Sequence, residues 1–151
     1  MERIRNSKEK KLRFTKSAEQ QAGFKPIGLW YGIGNSWHEW CRSEMPDWIK
    51  PYNHQIYVKE EALLILKSVK EIKEFTIEYG IPQKFQGMNL FQSIDWKKVA
   101  AKHCGIEINP FQHSIHLDMS LSWYYGWDCS SGCIWHHNAI TGIKRIRRKI
   151  R

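Results

Sequence analysis

Long apolar runs are missing from this sequence: stretches such as residues 62–66 stop far short of the roughly 20 residues that a membrane span requires. Cysteine is scarce, at four in 151 residues, which excludes a disulfide scaffold. No Pro/Gly/Ser-rich linker, internal repeat or low-complexity tract divides the chain. The opening residues, Met1-Glu2-Arg3-Ile4-Arg5-Asn6-Ser7-Lys8, carry no apolar core of a secretory signal, so an intracellular, cytoplasmic protein without membrane association is expected. A glycine-rich phosphate loop is also lacking, because Gly32-Ile33-Gly34 has no third glycine at the required place.

What is present describes one folded domain. Hydrophobic residues make up 42% and charged residues 26%, a balance that supports a core of ordinary size. Eight tryptophans stand out. Indoles build cores, and they also form platforms for flat ligands. The net charge of +9 is concentrated at the ends. Residues 1–16 hold seven Lys/Arg against Glu2 and Glu9, and residues 141–151 hold six with no acid. The remainder is slightly acidic. This pattern predicts a flexible basic N-terminus over 1–10, a single domain over 11–140 and a basic tail over 141–151. Such ends attract phosphates without sequence preference.

Periodicity gives a mixture of short strands and short helices without βαβ regularity, hence an α+β class. Strands are expected at residues 12–15, 27–31, 55–58, 62–66, 106–108 and 133–135. Ser36 with Glu39 and Ser68 with Glu71 have the spacing of capping boxes. The second opens the clearest helix, 69–79, where Val69, Ile72, Phe75 and Tyr79 share a face before Gly80 and Pro82 stop it. A shorter helix follows Ser93. The tail is read as helical, with Ile143, Ile146 and Ile150 on one side and cations on the other.

Three constellations can carry chemistry. In the first, a strand (Gly28-Leu29-Trp30-Tyr31) runs through a glycine turn into a helix bearing Ser36, Trp37, Trp40 and Cys41. A flat ring can be clamped between strand end and helix. This segment resembles the ADP-ribosyltransferase superfamily, in its diphtheria-toxin-like and poly(ADP-ribose) polymerase branch. There an aromatic on the strand and one before the helix cysteine sandwich the nicotinamide of NAD.

The resemblance covers residues 12–41 in pattern and 62–108 in layout. It implies two packed sheets with flanking helices, and NAD bound by Trp30, Tyr31, Ser36, Trp37 and Trp40. It further implies a phosphate or ribose anchor at Arg13 and a catalytic carboxylate at Glu107. Asp128 is the other acid of that half with aromatic neighbours. The implied activity is ADP-ribosyl transfer or NAD hydrolysis, the carboxylate stabilising positive charge that develops on the ribose. Trp replaces Tyr at both clamp positions, and Gly32 stands where Ser or Ala is usual. A protein of this kind suits a phage, mobile-element or toxin system.

In the second constellation, Cys129, Cys133 and His136 or His137, with His103 and Cys104, offer zinc donors or a Cys–His nucleophile. The C-x3-C spacing equally fits a tight buried turn. On that reading the turn 128–132 forms a wall or a substrate-contacting loop of the site. His113 and His116 are read as surface residues. The third constellation is the tail, where Lys144, Arg145, Arg147, Arg148, Lys149 and Arg151 can neutralise phosphates of DNA or RNA. The rival to an enzyme is therefore a binding module that uses basic termini and exposed aromatics.

Overall fold

The computed structural model describes residues 1–151 and has the α+β class expected. A seven-stranded sheet has the order β4-β7-β8-β2-β1-β3-β9, and a separate hairpin pairs β5 with β6. The strands are β1 (Arg3–Ser7), β2 (Leu29–Ile33), β3 (Tyr52–Val58), β4 (Leu63–Leu66), β5 (Gly80–Phe85), β6 (Met88–Ile94), β7 (Gly105–Ile108), β8 (Ser131–Ile134) and β9 (Ile140–Ile146). The helices are α1 (Ser36–Glu44), α2 (Val69–Tyr79) and α3 (Trp96–Ala100). Only β4 and β7 pair in parallel, with α2, the hairpin and α3 as the crossover between them. No helix is long and apolar enough to cross a membrane.

The sheet is covered by two hydrophobic clusters. The larger joins Leu66, Ile106 and Ile108 to Ile72, Phe75 and Tyr79 of α2, to Trp96 and Val99 of α3, and to Trp123, Tyr124 and Trp127. The smaller contains Leu29, Tyr31, Ile56, Leu63, Ile134 and Ala139. Trp30 packs on the first cluster while its neighbours Leu29 and Tyr31 belong to the second, as the two-residue period of a strand requires. The architecture is thus one double-faced sheet and a hairpin, in place of two packed sheets.

Several local expectations are corrected. Residues 12–15 form no strand; β1 lies earlier, within the segment read as a loose N-terminus. One apolar residue, Ile4, anchors it, and its polar neighbours find partners inside: Arg3 meets Glu107, and Asn6 bonds Lys50 and Asn53. The tail is no helix: residues 141–146 belong to the edge strand β9, paired along β3 from Val58/Ile140 to Asn53/Ile146, and 147–151 have no regular structure. Its isoleucine spacing suits a helix, yet the free edge of β3 supplies backbone partners that a helix does not need. The hairpin β5–β6 had no signal beyond the Gly80 and Pro82 that end α2.

The Ser68 cap forms, with Glu71 N–H donating to Ser68 Oγ at 3.2 Å. At α1 the cap position is Asn35, whose Nδ2 donates to Glu39 Oε1 at 2.7 Å. Ser36 is drawn elsewhere, as described below. The third helix begins at Trp96 under an Asp95 cap.

Candidate functional site

Strands β1 and β2 pair only at Arg3/Ile33 and Ile4/Gly32, then diverge. A cavity of about 610 Å³ opens at this fork, bounded by β1, β2, α1, the turn after α1 and residues 126–131. Its volume lies in the range of small-ligand and cofactor sites. Four indoles line it: Trp30 from β2, Trp37 from α1, Trp48 from the following turn, and Trp127. Trp30 meets Trp127 edge-on at 5.0 Å, and Lys25 Nζ lies 5.3 Å from the Trp30 ring. Trp37 is stacked on Trp40 at 5.3 Å, so Trp40 stands behind the wall and braces it. Trp48 keeps 46% of its surface exposed.

The local sequence explains this geometry. A Cβ on Gly32 would lie 2.9 Å from Trp37 Cβ, so glycine lets the first turn of α1 sit directly on β2. Ser36 Oγ donates to Ser130 O at 2.7 Å and accepts from Ile33 N–H at 3.1 Å. It ties strand, helix and the turn before β8 together without itself lining the cavity.

Cations dominate the polar wall. Arg5, Lys8, Lys25 and Lys50 face Glu9 and Asp128. Arg5 fills the fork: Nη1 makes one long bond, 3.4 Å, to Trp30 O, and the buried Nε has no partner. Burial lowers the affinity of this guanidinium for its proton, partly countered by the Glu9 carboxylate. It is a charge short of acceptors at the edge of a cavity. Burial pushes the Asp128 carboxyl above its ordinary range, with Lys25 and His116 pulling in the opposite direction.

The two residues expected to carry the chemistry lie elsewhere. Glu107 is fully buried and does not line the cavity. Its carboxylate accepts from Arg3 Nε at 2.7 Å, Arg3 Nη2 at 3.3 Å and Tyr31 Oη at 2.9 Å. Arg3 also bridges to Glu60 at 2.9 Å. Burial opposes the Arg3 charge, but the Glu107 and Glu60 carboxylates outweigh it and the guanidinium holds its proton more tightly than usual. Tyr31 is pushed up by burial and by Glu107.

Tyr31, Gly132 and Glu107 are cross-strand neighbours in one row. A Cβ on Gly132 would sit 2.4 Å from Tyr31 Oη, so the bare glycine is what lets the phenol reach across to the carboxylate. Tyr31 lines the cavity and Glu107 stands behind it. Arg13 is exposed on an irregular segment and takes no part in the cavity.

Of the expected site residues, Trp30, Tyr31 and Trp37 line the cavity; the arginine and the aspartate that line it with them are Arg5 and Asp128. Arg5 was hidden in a segment with one apolar residue. Trp48 sits in a proline-bounded turn and gave no periodic signal. Asp128 and the 128–132 turn were legible through their aromatic neighbours.

No three His, Cys, Asp or Glu residues converge as a metal site would require. The four cysteines are free thiols. Burial raises Cys41 and Cys133 and pushes Cys129 up to about 11, so these thiols stay protonated at neutral pH and make poor nucleophiles. His136 stacks on His137, whose Nδ1 lies 2.8 Å from Ser17 Oγ. His113 is exposed; His116 is half-buried, stacked on Tyr125. The chain matches no protein-family model, no curated protein and no solved structure.

Proposed function

We propose that the chain binds NAD in the cavity at the β1–β2 fork and cleaves its nicotinamide–ribose bond, transferring ADP-ribose to an acceptor or to water. The supporting observation is the meeting, in about 610 Å³, of four indoles, a guanidinium with unspent donors and a carboxylate raised by burial. The indoles suit a flat pyridinium or adenine. Arg5, with Lys25 and Lys50 at the rim, suits the diphosphate.

NAD supplies a glycosidic bond whose nitrogen is already cationic and leaves as neutral nicotinamide. As the C1′–N bond breaks, its electron pair passes to the ring nitrogen and positive charge grows on the ribose. Asp128 stabilises that charge more in the transition state than in the bound ground state. The acceptor or water then bonds to C1′ and gives up its proton, for which Asp128 is the base at hand. Arg5 replaces Arg13 as the anchor, and Asp128 replaces Glu107 as the working carboxylate. Tyr31, held by Glu107, fixes the wall.

Nicotinamide release from NAD tests the assignment. Asp128→Asn should lose at least about 100-fold in turnover, while Glu107→Gln, which loosens the Tyr31 wall without altering a group at the reacting centre, should lose far less per folded molecule. Loss of turnover in a folded Glu107→Gln variant, with Asp128→Asn active, would return the role to Glu107. The second reading is a binding module without turnover. It is favoured by the cations that no carboxylate neutralises, and it predicts ligand binding with no nicotinamide release.

A further inference from the structure

Between β1 and β2 the chain runs through residues 8–27 without regular structure, yet it is pinned along its length. Lys10 O lies 3.2 Å from His54 Nε2, Ser17 Oγ bonds His137, and Ala18 N–H donates to Trp135 O at 2.8 Å. Gln20 clasps Ile27 through both backbone groups, and Gly23 bridges to Ile94. Leu12 and Phe14 turn inward onto the smaller hydrophobic cluster. The residues between and around them turn outward: Lys8, Lys10, Lys11, Arg13, Lys16 and Lys25 are all exposed.

None of these six cations takes part in a salt bridge, and the segment's only acids are Glu9 and Glu19. The strap begins and ends at the cavity, since Lys8 and Lys25 both line it. In the tail, Arg148 is paired with Glu2, and Arg145 lies over the Tyr52 ring as Lys25 lies over Trp30.

We infer that this strap is a binding surface for single-stranded nucleic acid, which it leads to the mouth of the cavity. In the role of acceptor this rests on the NAD reading above; as a binding surface it stands alone. Exposed cations without salt-bridge partners on a pinned segment attract phosphates and release counterions. A cavity mouth flanked by exposed Trp48 suits an unpaired base, which can stack, and not a base held in a duplex.

The test is fluorescence anisotropy with a labelled oligothymidylate of about 20 nucleotides, alone or annealed to its complement. It compares the full chain with two variants. One carries Lys10→Gln, Lys11→Gln, Arg13→Gln and Lys16→Gln. The other carries Lys144→Gln, Arg147→Gln, Lys149→Gln and Arg151→Gln. The single strand should bind with an affinity that falls steeply with salt. The strap variant should bind at least about tenfold more weakly near 50 mM salt, its salt slope smaller by about 0.7 per lost phosphate contact. The tail variant also loses four cations without salt-bridge partners, but none of them lies on the segment that begins and ends at the cavity, so it should lose several-fold less affinity than the strap variant.

No binding by the parent, equal losses in both variants, or a duplex bound as tightly as the single strand would each overturn the inference. NAD-induced thermal stabilisation is read on the same proteins. The strap variant removes no cavity residue, so it keeps whatever stabilisation the parent shows. Failure of the NAD reading appears as no stabilisation of any of the three proteins. Failure of the strap appears only in the anisotropy.

Discussion

Two carboxyls, Glu107 fully buried and Asp128 half-buried, sit in contrasting environments, and they predict opposite responses to substitution. Glu107 is enclosed with Arg3, their side chains 1% and 8% exposed, and takes three hydrogen bonds. Removing one partner of such a pair leaves an uncompensated charge in the interior. Glu107→Ala should cost about 3–5 kcal/mol in urea unfolding. A loss below about 1 kcal/mol would mean that the pair is solvated.

Asp128 makes no ion pair, and its burial raises its proton affinity in the folded state above that in the unfolded chain. The folded state then binds the proton more tightly, so the associated stability is present at acid pH and is lost as pH rises through the carboxylate range. Asp128→Asn should therefore be more stable than the parent at neutral pH, the difference closing towards acid. An Asn variant less stable than the parent at neutral pH contradicts this. A group that weakens the fold where it is ionised is a reasonable mark of function.

At the level of elements, the parts of the sequence with strong patterns are the ones that were readable. Helix α2 has a cap, a four-residue apolar face and a glycine–proline stop, and it forms over 69–79 as expected. The apolar run of β4, the isoleucine alternation of β7, and the apolar residues with Trp30 in β2 and just before Trp135 in β8 were legible for the same reason. Strand β1 was not, because its burial rests on polar partners far away in sequence: Glu107 for Arg3, Asn53 for Asn6. The arginine that lines the cavity is thus Arg5, eight residues before the expected Arg13, and the fork had no signal in the sequence.

A glycine carries much of the site's construction. Gly132→Ala would bring a Cβ to 2.4 Å from Tyr31 Oη and 2.9 Å from Ile106 O. Backbone on one side cannot yield, so about 1–3 kcal/mol of destabilisation is expected, with the Tyr31 wall displaced. Trp48 is different. It is half in solvent, so Trp48→Ala should leave the melting temperature nearly unchanged while weakening ligand affinity by about 1–3 kcal/mol. Unchanged affinity in a titration of tryptophan fluorescence would remove Trp48 from the site.

Across the whole molecule, the charge seen as two basic ends is redistributed by folding. Arg3 goes into an ion pair and Arg5 into the cavity. The residues that follow become an ordered strap, and the tail becomes a sheet edge. A double-faced sheet with a hydrophobic cluster on each side makes this possible, because a strand in its middle can carry arginines to a row of buried partners and to a fork. The tryptophans are shared in the same way: Trp96, Trp123 and Trp135 are core, Trp30, Trp37 and Trp48 form cavity wall, and Trp127 belongs to both.

Thermal unfolding with NAD, adenosine and nicotinamide riboside as ligands bears most directly on that cavity. At about 100 times its dissociation constant, NAD should add about 2.7 kcal/mol, a rise of roughly 5–10 °C for a chain of this length. Arg5→Gln should lose most of that rise, and the two ligands without phosphate should give little. No stabilisation by NAD at millimolar concentration, or equal stabilisation by all three ligands in the parent and in Arg5→Gln, would contradict a cavity built for an aromatic ring carrying a phosphate.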